Sequence, residues 1–163
     1  MGVAGAGKTT VGAALARRLG FRFVDADDHH PPDNVAKMAA GIPLDDEDRR
    51  PWLELLNEKL KNGAPMVLAC SALKESYRRR LLEGIGDARI VYLHGAFDLI
   101  AARLAERRHR YMPASLLQSQ FAALEPPGEA IAIDVAADDA VVLALDTDVA
   151  ALAQAAREGG LSF

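Results

Sequence analysis

The chain begins MGVAGAGKTT (residues 1–10), and the reading of these ten residues decides the fold. Gly2, Gly7, Lys8 and Thr9 stand at the spacing G-x-x-x-x-G-K-[ST]. In that pattern the glycines let successive backbone N–H groups turn inward around phosphate oxygens. The lysine sets a positive charge beside the terminal phosphates, and the hydroxyl is placed to hold Mg²⁺. Gly2, Val3, Ala4, Gly5, Ala6, Gly7, Lys8 and Thr9 are therefore the candidate nucleotide cradle, with Thr9 the candidate metal residue. A helix must follow at once so that its positive end faces the same phosphates. Val11, Ala14, Leu15 and Leu19 recur at helical spacing until Gly20, which favours this reading over a glycine-rich loop that merely starts a helix.

Working outward, short strands alternate with helices. FRFVD (21–25) alternates and is rich in β-formers. PMVLAC (65–70) and ARIVYLHG (88–95) are apolar runs of strand length, as expected of strands buried on both faces, and EAIAIDVA (129–136) is a further strand. Helices are predicted over 34–41, 45–63, 72–84, 97–108, 115–124 and from about Thr147 to Glu158, with HHPPDN (29–34) a loop. This order predicts an α/β fold, a parallel sheet wrapped by helices on both faces. Ligands of such sheets sit beyond the carboxyl ends of the strands, here Asp25 to His30, Cys70 to Lys74 and His94 to Phe97.

The 163 residues suit one domain spanning 1–163. With 19 basic and 23 acidic residues the formal charge is −4, so nothing global argues for nucleic acid or a membrane surface as partner. No apolar run has the length of a membrane span, and the start does not read as a signal peptide. The one cysteine, Cys70, excludes an internal disulfide and fits a reducing, cytoplasmic compartment.

Phosphoryl transfer to a hydroxyl needs a carboxylate that orients it and accepts its proton. VDADDHHPPDN (24–34) supplies Asp25, Asp27 and Asp28 at a strand end. On an extended chain Asp25 and Asp27 project the same way, so one can hold a metal-bound water and the other the acceptor hydroxyl. Asp27 is the candidate for the hydroxyl, and Asp25 for the metal through water. The rival reading is a solvated acidic turn, with Asp33 or Asn34 capping the next helix. RLAERRHRYMP (103–113) carries Arg103, Arg107, Arg108 and Arg110, either as cations near a helix C-terminus or as a lid that closes on the transferring phosphate.

These stretches together resemble the small gluconokinases, within the shikimate- and adenylate-kinase-like group of P-loop kinases. The resemblance rests on GVAGAGKTT, DADDHHPPDNVAKMAAGIPLDDEDRRPWL, CSALKESYR, FDLIAARLAERR and MPASLLQSQFAALEPP, reaching from Gly2 to Pro127. It implies a P-loop NTPase fold, ATP and Mg²⁺ as cofactors, phosphorylation of D-gluconate at its 6-hydroxyl, and a homodimer. It implies that Lys8, Asp27 and Arg107 are catalytic, with a lid at about 107–113. Substrate binding falls to Asp27, His30, Arg49, Lys74 and Arg78, the basic residues being suited to the gluconate carboxylate. The alternatives are a sibling kinase for another sugar acid or shikimate, and a non-catalytic ATP-binding protein. Ala26, His29 and Arg110 stand where the family usually has glycine, leucine and histidine. The family also has an apolar strand before its methionine–glycine, whereas Met1 alone precedes Gly2 here. The expectation is a truncated first strand, an empty slot between its two neighbours, and Met1 as an internal methionine of a longer protein.

Overall fold

Among the described residues, four strands form two parallel pairs. β1 (Arg22–Asp25) pairs with β2 (Met66–Ala69), Arg22 opposite Met66 and Asp25 opposite Ala69. β3 (Val91–His94) pairs with β4 (Ile131–Asp134), Val91 opposite Ile131 and His94 opposite Asp134. The helices are α1 (Lys8–Leu19), α2 (Pro32–Ala39), α3 (Asp46–Asn62), α4 (Glu75–Leu81), α5 (Phe97–Ala105) and α6 (Ala114–Ala123). This computed structural model describes residues 1–106 and 114–136. The lid with Arg107, and the helix predicted from Thr147, lie outside the described residues.

The chain is α/β with a parallel sheet between helical layers, as the alternation predicts. Adjacent residues of β2 separate the layers, because side chains alternate across a strand. Val67 packs with Val11 and Leu15 of α1, Ile100 of α5 and Leu117 of α6, in a core that also takes Leu93, Ile133 and Val135. Leu68 packs on the other face with Trp52, Leu53 and Leu56 of α3 and Tyr77 and Leu81 of α4.

β2 and β3 do not pair with each other. Between them run Met1 and Gly2. Gly2 N–H donates to Ser71 O at 3.3 Å, just past β2, while Leu93 N–H donates to Met1 O at 2.9 Å and the Met1 amine donates to Val91 O. The slot expected from the sequence is thus bridged at its carboxyl end by two residues. The Met1 amine is pushed down to about 5, first by burial and then by the Lys8 charge.

Local chemistry sets the helix ends. Gly20 (φ 70°) closes α1 in the left-handed region, its N–H reaching Ala16 O and Arg17 O. Asp45 caps α3 through a reciprocal pair with Asp48: each carboxylate accepts the other residue's N–H. Asn57, buried on α3, donates to Leu81 O at 2.8 Å and Glu83 O at 3.0 Å, satisfying carbonyls at the end of α4.

Three local expectations are corrected. The chain after β1 is not extended: Asp25 accepts the Asp27 N–H at 3.1 Å and turns residues 26–29 into a 3₁₀ turn, so Asp25 and Asp27 do not continue one strand edge. Neither Asp33 nor Asn34 caps α2, which begins at Pro32. Asn34 is buried and donates to Asp48 O at 2.8 Å, tying α2 to α3. The segment 72–74, predicted as helix, is loop. There Ala72 takes φ 43°, and Leu73 O accepts the Glu125 N–H at 2.9 Å.

Candidate active site

Residues 2–7 form a tight loop between β3 and α1. Gly5 (φ 84°) lies against α5, where a Cβ would come within 2.7 Å of Leu104 Cγ and 2.9 Å of Ile100 Cγ2. Gly7 (φ 90°) is the N-cap of α1 and has no side chain to cap the helix, which leaves the helix end open to an anion. A side chain at Gly7 would suffer the left-handed backbone angle. The Ala4 N–H donates to Gln120 Oε1 at 2.7 Å, so this amide fastens the loop to α6. Lys8 folds back over the loop, its ammonium 3.0 Å from Val3 O.

Asp25 joins this loop to the opposite rim. One carboxylate oxygen accepts the Thr9 hydroxyl at 2.8 Å, and the other accepts the Asp27 N–H at 3.1 Å. Asp27 is exposed on the turn that follows. Trp52 supports this turn from α3. Its indole N–H donates to Ala26 O at 2.9 Å, and its ring stacks on His30 at 4.1 Å between centroids and 13° between planes. Burial holds the His30 imidazole below its ordinary value, against the opposing pull of Asp27 and with a smaller push from Arg49. Nδ1 of His30 is buried and has no hydrogen-bond partner among the described residues. Cys70, fully buried nearby, is pushed up to about 11 by desolvation and is no nucleophile.

The basic residues take two different places. Arg49 and Lys74 flank the Tyr77 ring, with the Arg49 guanidinium carbon 5.4 Å and Lys74 Nζ 5.3 Å from its centroid. Lys74 donates to Asp46 at 2.8 Å, and the Tyr77 hydroxyl donates to the same carboxylate oxygen. Arg49 also donates to Leu44 O and, at 3.3 Å, to Asp45 O. Arg78, the third of the basic residues expected near the substrate, lies deeper than the other two. It is 7% exposed, and its Nη1 donates to Ala72 O and Leu73 O, each at 3.0 Å. A buried guanidinium must be satisfied internally; here it shapes the loop that carries Lys74.

The electrostatic neighbours form one continuous rim. Lys8 and Asp27 both act on Cys70, Asp27 and Arg49 on His30, and Arg49 and Lys74 on Asp46. The glycine loop with Lys8, the Asp27 carboxylate and the Arg49 and Lys74 cations therefore lie along one rim. Gln120, Asp46, Tyr77 and Trp52 were not singled out from sequence. Gln120 follows Gln118 and Ser119 in α6, so nothing local set it apart.

A sequence profile described as shikimate kinase matches residues 4–124. A protein named probable gluconokinase from Mus musculus is 49% identical over 148 residues, covering 78% of this chain and 80% of its own. This chain belongs to the gluconokinase branch of the shikimate kinase family. A gluconokinase from Gluconobacter oxydans is 50% identical, with 79% of this chain and 75% of its own covered. The crystal structure of a gluconokinase from Sinorhizobium meliloti superposes with a TM-score of 0.86 at 42% identity, over 98% of this chain and 94% of that one. The P-loop kinase fold and the kinase class implied by the resemblance both stand. Among the described residues no helix is long and apolar enough to cross a membrane.

Proposed function

We propose that this gluconokinase-family chain transfers the terminal phosphoryl group of ATP to the 6-hydroxyl of D-gluconate. The observation that carries the reading is the Asp25 bridge, because it couples the residue after the phosphate loop to the turn bearing the acceptor carboxylate. Asp27 orients the hydroxyl and takes its proton as the new P–O bond forms. Lys8 and the N-terminal turn of α1 bind the phosphates and neutralise the charge that spreads over the moving group. Arg107 is proposed to complete this neutralisation from the lid.

The Thr9 hydroxyl and Asp25 carboxylate, 2.8 Å apart, are hard oxygen donors of the kind Mg²⁺ prefers, Thr9 directly and Asp25 through water. Mg²⁺ held there together with ATP would supply positive charge that offsets the charge of the phosphates during transfer. Arg49 and Lys74 offer positive charge to the gluconate carboxylate, and His30 offers a neutral imidazole to a substrate hydroxyl. Arg78 holds the Lys74 loop. Family membership further supports a homodimer working in the cytoplasm.

A coupled assay of ADP release across a panel of sugar acids, polyols and shikimate tests the reading. Gluconate is expected to be the best acceptor. Shikimate or another acid as best substrate refutes the assignment of acceptor, and ATP binding without transfer to any acceptor refutes catalysis.

A further inference from the structure

Four consecutive acids, Asp45 to Asp48, open α3, and three of them have local duties. Asp45 caps the helix, Glu47 pairs with Arg50 one turn on, and Asp48 binds Lys37 at 2.6 Å and the Asp45 N–H at 3.1 Å. Asp48 thus ties α3 back to α2, whereas Asp46 reaches forward to the segment that carries Lys74 and Tyr77. It accepts from Lys74 Nζ and the Tyr77 hydroxyl, between the two cations that flank that phenol.

We propose that Asp46 occupies the carboxylate subsite until substrate arrives, so that an anionic acceptor binds by exchanging its own carboxylate for that of Asp46 at Lys74. The inference rests on the reading of Lys74 and Arg49 as the gluconate carboxylate subsite. Asp46 is suited to leave. Its side chain is 65% exposed, so water can take over its hydrogen bonds, and it lies in the first turn of α3, where the helix end favours a negative charge whether or not Lys74 is near. Its hydrogen bonds from Lys74 and then Tyr77 hold its carboxyl below the ordinary carboxylate range, so it competes as an anion at neutral pH. An uncharged polyol offers Lys74 no replacement charge and leaves the pair in place. The pair therefore selects acceptors that carry a carboxylate, while weakening their binding by a modest factor.

Calorimetric binding of gluconate without ATP tests this. Exposed ion pairs are weak, so Asp46→Asn is expected to tighten gluconate binding about two- to five-fold, with sorbitol binding and the KM for ATP unchanged. Tyr77→Phe, which removes one donor to Asp46 and keeps the ring, should shift affinity the same way by less. Lys74→Ala is the control and should weaken gluconate binding. If Lys74→Ala weakens binding while Asp46→Asn leaves it unchanged or weaker, Asp46 is a support for Lys74 and the inference falls, with the subsite intact. If Lys74→Ala has no effect on gluconate, the subsite itself is misplaced and the inference falls with it.

Discussion

Asp25 gives its two carboxylate oxygens to different segments, the Thr9 hydroxyl and the Asp27 amide. A side chain so divided fixes the distance between the phosphate loop and the acceptor turn, and that distance is what an in-line transfer requires. Lys8→Ala removes the loop's positive charge and Asp27→Asn the carboxylate proposed to accept the proton. Each is expected to lower turnover with gluconate by at least about 100-fold in the coupled assay, with thermal stability little changed. His30 supplies a pH signature. Its folded value lies below the unfolded value of about 6.5, so the neutral ring favours the fold above that pH, and this contribution is lost as pH falls through the depressed folded value. Trp52 is the only tryptophan in the chain and stacks on this ring. Its emission should fall on acidification, since a protonated imidazole quenches a stacked indole, with a midpoint below 6.5, and His30→Gln should abolish the transition. The facing charges that set this midpoint are Asp27, which opposes the shift, and Arg49, which adds to it.

The helices were legible where their signals are local. Gly20 marks the end of α1, the acidic run marks the start of α3, and β1 to β4 lie within the segments that predicted them. The turn after β1 was not legible, because a strand-like pattern ran through Asp25 while its side chain offered the backbone a competing hydrogen bond two residues on. The loop at 72–74 was missed for a longer-range reason: its shape is held by Arg78 and Glu125, which only the folded chain brings to it. Asn57 belongs with these. From sequence it is a polar residue in an amphipathic helix, yet in the fold it serves two carbonyls beyond α4. Asn57→Ala leaves buried acceptors unpaired and is expected to cost about 1–3 kcal/mol in urea unfolding, with the gluconate KM unchanged.

At the scale of the whole molecule, the phosphate-loop pattern told most about the architecture, because that pattern requires a parallel sheet and a following helix. The acceptor side was legible as residue types but not as contacts. Arg49, Lys74 and Arg78 looked alike in sequence, and burial separates Arg78 from the other two. The start of the phosphate loop carries a consequence for the sheet. Gly2 bonds Ser71 beyond β2, and Met1 bonds Val91 and Leu93 of β3, so the segment that leads into the loop touches both strand pairs. ATP seated on the loop should therefore slow native-state hydrogen exchange at Leu93 and Gly2, and exchange there that ignores the nucleotide would mean that loop and sheet open independently. The nucleotide then acts as a clasp on the sheet as well as a phosphate donor.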